Sequence, residues 1–148
     1  MLMKLTFIGA DHEVTGSCHF LEVGDTKVLI DCGMEQGNNP YQNAELPVSY
    51  SDIDYVFLTH AHIDHAGMLP WIYARGFKGQ IITTYATADL CGIMLRDSAH
   101  IQEMEAEWRN RKARRAGKTE VEALYTMQDA EGVLGTILKV WLMDRSLN

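Results

Sequence analysis

Thr59-His60-Ala61-His62-Ile63-Asp64-His65-Ala66-Gly67 sets four metal-capable side chains, His60, His62, Asp64 and His65, within six residues. The apolar run Tyr55-Val56-Phe57-Leu58 comes directly before it, and the segment after it reads as a helix. Side chains at i and i+2 of an extended segment point the same way, so His60 and His62 can approach one metal ion together. If the chain turns into a helix at about Asp64, then Asp64 and His65 face the same concavity from its first turn and could hold a second ion. The free N–H groups of that helix start favour an anion at the same place. Imidazole nitrogen with one carboxylate oxygen suits zinc, and manganese or iron less well. A His-rich surface turn, or core histidines satisfied by hydrogen bonds, would account for one histidine more readily than for three with an aspartate at strand-to-helix spacing.

Upstream, Lys4 to Gly9 reads as a strand, followed by a polar loop from Ala10 to Ser17 with a Thr15-Gly16-Ser17 turn signal. A strand from Cys18 to Val23 pairs through Gly24-Asp25 with a third from Lys27 to Ile30, since Gly-Asp is a hairpin dipeptide. The third strand carries Val28, Leu29 and Ile30 in a row, which suits burial on both faces, and it ends at Asp31-Cys32-Gly33. Met34 to Tyr50 is rich in Asn, Gln, Gly and Pro and reads as a long loop, with Ser51 or Asp52 capping a short turn before the strand Tyr55 to Leu58. Downstream, one helix is expected from about Ala66 to Arg75, with Pro70 in its first turn and Gly76 as its stop. Gln80 to Thr84 reads as a strand. Thr87 reads as the N-cap of a long helix whose apolar stripe is Leu90, Ile93, Met94, Ile101, Met104 and Trp108, ending at Gly117. Thr126-x-x-Asp129 resembles a capping box and opens a last helix covering Ala130 to Leu134. Strands first, then strand and helix in alternation, point to an α/β domain with a mixed sheet.

The chain of 148 residues is long enough for one domain with a core, and 47% hydrophobic with 22% charged residues is ordinary for a globular protein. No apolar run approaches the roughly 20 residues of a membrane span, and the run Leu5 to Ala10 is too short and wrongly flanked for a secretory signal. Cys18, Cys32 and Cys91 are odd in number and include no C-x-x-C pair, so they read as reduced structural thiols and place the protein in the cytoplasm. A net charge of −7 argues against coating nucleic acid by charge alone, yet Arg109, Arg111, Lys112, Arg114, Arg115 and Lys118 crowd into ten residues. That run reads equally as a substrate entry path and as a solvated helix face paired with its own glutamates.

His60-x-His62-x-Asp64-His65 resembles the H-x-H-x-D-H signature of the metallo-β-lactamase fold, an αββα sandwich with one or two metals in a cleft at the edge of its two sheets. Gly9-Ala10-Asp11-His12-Glu13-Val14-Thr15-Gly16-Ser17-Cys18-His19 with Asp31-Cys32-Gly33 is similar to the start of its RNA-processing branch. That branch holds the bacterial relatives of the β-CASP nucleases and of the cleavage-and-polyadenylation endonuclease. Leu95 to Gln102, Glu105 to Trp108, and Leu124-Tyr125-Thr126 before Asp129-Ala130 resemble the same branch. The resemblance implies that His60 and His62 ligate a first zinc and Asp64 and His65 a second, and that Asp31 supports and orients the histidines from behind. It implies hydrolysis of phosphodiester bonds in RNA, with Asp64 orienting the attacking water. Thioester, lactone and β-lactam substrates are the alternative within the same superfamily. His12, Glu13 and His19 flank the expected cleft without an assigned role, and His100 reads as structural.

The resemblance fades at about Leu134, so residues 1–134 read as the N-terminal part of a metallo-β-lactamase domain and residues 135–148 as a divergent or truncated tail. The Gly-His histidine and the bridging aspartate that the family would add are absent, since no histidine follows His100. The expectation is therefore the N-terminal half of the sandwich, a mixed sheet with helices on one side. An apolar face left uncovered would then be buried in a two-fold homodimer. A non-catalytic, metal-binding half-domain that needs a partner is the third reading.

Overall fold

The structure is a computed structural model that describes residues 2–37 and 42–141. Its elements, in chain order, are β1 (Met3–Gly9), β2 (Cys18–Val23), β3 (Thr26–Ile30), a 3-10 turn (Tyr50–Asp52), β4 (Tyr55–Phe57), α1 (Ile63–Ala66), α2 (Leu69–Ala74), β5 (Gln80–Thr84), α3 (Tyr85–Arg115), α4 (Met127–Leu134) and β6 (Ile137–Val140). Residues 38–41 of the expected long loop and 142–148 of the expected tail lie outside the described residues. Six strands form one sheet in sequence order, with β1, β2 and β3 antiparallel and β3 through β6 parallel. The fold is thus the expected mixed sheet with helices.

Register divides the sheet into two faces. Phe20, Leu29, Val56 and Ile81 are lateral neighbours across four strands, each wholly buried, and Ile137 of β6 continues the row. That row packs beneath Ala66, Leu69, Ile72, Cys91, Leu95, Ala99, Ala130 and Val133 from all four helices, in a single core. Side chains alternate along a strand, so the next row points the other way. It runs Phe7, His19, Ile30, Phe57, Ile82 and Leu138 across all six strands, and Phe7, Phe57 and Leu138 are exposed. Among the described residues only one face of the sheet carries helices.

Four elements differ from the sequence reading. The helix expected over Ala66 to Arg75 begins earlier and is divided into α1 and α2. Pro70 lacks the N–H that would bond the Ala66 carbonyl, and its ring would crowd that carbonyl, so an uninterrupted helix cannot pass through it. The N-cap of α3 is Thr84, whose hydroxyl accepts from the Thr87 N–H at 3.3 Å. The expected apolar stripe of α3 faces outward: Leu90, Ile93, Ile101, Met104 and Trp108 are exposed, while Ala88, Cys91, Leu95 and Ala99 are buried. Finally, β6 was not among the expected strands; it adds to the sheet edge beside β5.

The Thr126 capping box is formed in full: the Thr126 hydroxyl accepts from the Asp129 N–H, and the Asp129 carboxylate accepts from the Thr126 N–H. All three thiols are free and buried. No helix among the described residues is long and apolar enough to cross a membrane. Phe20→Ala should cost about 3–5 kcal/mol in chemical denaturation, and Thr126→Ala about 1 kcal/mol. Burial raises Cys91 to about 11 and, with a hydrogen bond to Cys18, holds Cys32 well above the ordinary thiol range. Alkylation at pH 8 should therefore be slow in the native protein and fast only after unfolding.

Candidate metal centre

Asp31 ends β3 with φ +60, a conformation open to Asp and closed to most bulkier residues. The turn points its carboxylate back into the protein, where it is 3% exposed. A buried carboxylate needs partners, and four groups reach it. The Thr59 N–H donates to Oδ1 at 2.9 Å, and the Thr59 hydroxyl lies 2.9 Å from Oδ2 and 3.0 Å from Oδ1. His65 Nδ1 is 2.7 Å from Oδ2, and the Ser17 hydroxyl donates to Oδ2 at 3.3 Å.

These bonds assign the tautomers of two histidines. A carboxylate only accepts, so the His65 Nδ1 carries a proton, and in the neutral ring Nε2 then keeps the lone pair. Thr59 has one hydroxyl proton, which it gives to Asp31, so His60 Nδ1, 3.0 Å from the Thr59 oxygen, donates to that oxygen. His60 therefore also presents a lone pair at Nε2. Asp31 orients one imidazole directly and the other through Thr59.

Main-chain bonds hold the surrounding loops. The Ser17 N–H donates to the Asp64 carbonyl at 2.8 Å, the Cys32 N–H to His65 at 2.8 Å and the Met34 N–H to Ile63 at 2.9 Å. A Cβ placed on Gly33 would lie 1.7 Å from the Asp64 carbonyl oxygen, so only glycine permits this approach. Sequence reasoning assigned no role to Thr59, Ser17 or Gly33. The signal was present in Thr59 itself, a hydroxyl residue directly before the first histidine.

The side chains of the histidine stretch lie close to one another. His60 lies 3.9 Å from His65 and 4.8 Å from His62 between ring centroids, and His65 Nε2 is 3.6 Å from Asp64 Oδ2. Two donors bound tetrahedrally at about 2.1 Å stand about 3.4 Å apart, so the Asp64–His65 pair has the separation of one edge of a zinc site. The His60 contacts are between rings. Among the described residues no group of three or more His, Cys, Asp or Glu side chains stands in an arrangement that would hold a metal ion. The residues thus fit a zinc-type ion in donor chemistry and along one edge, but they do not form a closed coordination sphere.

Among the described residues, Cys32, His19 and His100 do not extend the group. Cys32 is held as a neutral thiol by its hydrogen bond to Cys18 and by burial. His19 lies on the outer sheet face with its ring against Phe7, and its Nδ1 is buried without a hydrogen-bond partner. His100 is exposed on α3. A cavity of about 560 Å3, lined by Ile8, Cys18, Cys32, Met34, Trp71 and Leu124 among others, contains none of the four candidate ligands.

The sequence profile of the Metallo-beta-lactamase superfamily matches residues 13–128. The chain is 41% identical over 102 residues to Ribonuclease TTHA0252 of Thermus thermophilus, a match covering 68% of this chain and 24% of that protein. It is 33% identical over 108 residues to Transcription termination factor FttA of Methanocaldococcus jannaschii, covering 71% of this chain and 17% of that one. With Cleavage and polyadenylation specificity factor 73 of Drosophila melanogaster it shares 34% identity over 112 residues, or 72% of this chain and 16% of the relative. The chain therefore spans a quarter or less of the length of these curated relatives. The profile match encloses Asp31, Thr59 and the whole histidine stretch: the chain belongs to the metallo-beta-lactamase superfamily.

Proposed function

We propose that this chain carries the histidine-rich half of the centre of a zinc-dependent hydrolase that cleaves phosphodiester bonds in RNA. The observation that carries the reading is the Asp31 network, which leaves Nε2 of His60 and His65 as lone-pair donors beside Asp64 and His62. The relatives are named as a ribonuclease, a transcription termination factor and a cleavage factor, which favours RNA over a thioester, lactone or β-lactam. His60 and His62 would hold one ion, and Asp64 and His65 a second, with manganese or iron as lesser alternatives to zinc. When bound, such ions act as Lewis acids on the charge that develops at a phosphoryl group. Asp64 would orient the attacking water, while Asp31 would position His65 and, through Thr59, His60.

A second reading is favoured by the open coordination geometry: a metal-binding half-domain without turnover of its own, completed by ligands from a partner. The outer sheet face supports a second copy of this chain as that partner. Phe7, His19, Ile30, Phe57, Ile82 and Leu138 lie in one row, and Leu5, Leu21, Val28 and Tyr55 in the next, with no Asp, Glu, Lys or Arg in either stretch. An uncharged apolar face is self-complementary under a two-fold axis. Three buried free thiols support a reducing compartment, the cytoplasm.

His60→Ala with His62→Ala should abolish metal-dependent cleavage of RNA, and unchanged turnover would refute the hydrolase reading. Zinc bound without cleavage of RNA or of a thioester panel is the result the half-domain reading expects. Asp31→Asn should lower zinc affinity about 10–100-fold in competition with a chromophoric chelator, with the fold retained. Light scattering at micromolar concentration should give a dimer that Phe7→Lys with Phe57→Lys converts to a monomer. A monomeric unsubstituted chain would exclude the two-fold contact.

A further inference from the structure

Between Ala99 and Tyr125 no residue is buried. α3 continues from residue 100 to Arg115 without entering the core, about 24 Å of helix at 1.5 Å per residue. The chain then returns along it. The Asn110 side chain donates to the Val121 carbonyl at 2.8 Å and accepts from its N–H at 2.7 Å, and Arg114 pairs with Glu120 at 3.3 Å. The base of this arm is fixed by Ser98–Tyr125 and by Glu103 accepting from the Met127 N–H. A helix held away from the core while its apolar side chains stay exposed gains little from burial, so its surface chemistry is the informative part.

One exposed stripe runs Ile101, Met104, Trp108, Arg111, Lys112 and Arg115, at spacings that share a helix face. Trp108 is 53% exposed, and the Lys112 ammonium sits 3.5 Å from its ring centroid. Residues 109–118 hold six cations and no acid, in a chain of net charge −7. Glu105 pairs with Arg109, and Glu120 with Arg114. Arg111, Lys112, Arg115 and Lys118 have no carboxylate partner among the described residues. The helix C-terminus favours cations in its last turn, which covers Lys112, Arg114 and Arg115 but explains neither Arg111, Lys118 nor the open tryptophan.

We propose that this arm binds single-stranded RNA, with phosphates on Arg111, Lys112, Arg115 and Lys118 and an unstacked base on Trp108. The inference rests on the reading of RNA as substrate and adds where the strand is held. An aromatic ring beside a line of cations without carboxylate partners is the combination that tracks a single strand without reading its sequence. A duplex would leave the indole unused, because its bases are already stacked.

The test is fluorescence anisotropy of a labelled 20-nucleotide oligouridylate with the full chain in EDTA, across a salt series. The triple variant Arg111→Gln, Lys112→Gln, Arg115→Gln should weaken binding at least tenfold and lower the salt slope by about 2, near 0.7 per lost phosphate contact. Trp108→Ala should weaken binding about tenfold with the slope retained, and Trp108→Phe should restore most of it. Wild-type affinity in the triple variant overturns the arm proposal, as does equal binding to phosphatidylserine vesicles. Intact binding that depends on the arm, without metal-dependent cleavage, instead overturns the hydrolase reading alone.

Discussion

Asp31 is a carboxylate removed from water at the end of a central strand, and its burial is tolerable only while its partners are in place. Those partners come from three separate parts of the chain: Ser17 before β2, Thr59 after β4 and His65 in α1. Losing any one leaves an acceptor short of a donor in a site where unmet hydrogen bonds cost about 1–3 kcal/mol. The same bonds that make the carboxylate affordable also decide which nitrogen of each imidazole is free. Stability of the strand end and chemical readiness of the histidines are therefore one interaction seen from two sides.

The sheet presents a similar division of labour. Its inner row is closed over by four helices, and its outer row is equally apolar in type yet open to solvent. Val28 illustrates the difference: it is buried, but it lies between Leu21 and Tyr55 on the outer face and takes no part in the helix-side core. Shelter from lateral neighbours is enough for a small side chain and insufficient for Phe7 or Phe57. Among the described residues the outer face stays open, while the inner face is covered by helices.

Much of this was legible from local chemistry. The Gly24-Asp25 hairpin, the strand Gln80–Thr84 and the Thr126 capping box each depend on residues close in sequence, and each forms. The candidate ligands were legible for the same reason, being crowded into one turn. What was not legible required knowing what lies across the core. The α3 stripe of large residues has helical spacing but faces out, and the face with Ala88, Cys91, Leu95 and Ala99 is the one buried. β6 follows a helix with little alternation of its own and becomes a strand only because the edge of β5 offers it hydrogen bonds. The roles of Thr59 and Ser17 depend on the side-chain direction of Asp31, which a positive φ sets and no periodicity reveals.

Gly33 bears on how this protein can change over time. Its missing Cβ is what lets the β3 end lie against the Asp64 carbonyl, and that carbonyl in turn receives the Ser17 N–H. Loop before β2, end of β3 and histidine loop are thus threaded through a gap less than one carbon atom wide. None of the three can lengthen, shift or exchange residues at the contact while the others stay as they are. Variation near the centre should therefore arrive as compensated sets of substitutions across all three loops.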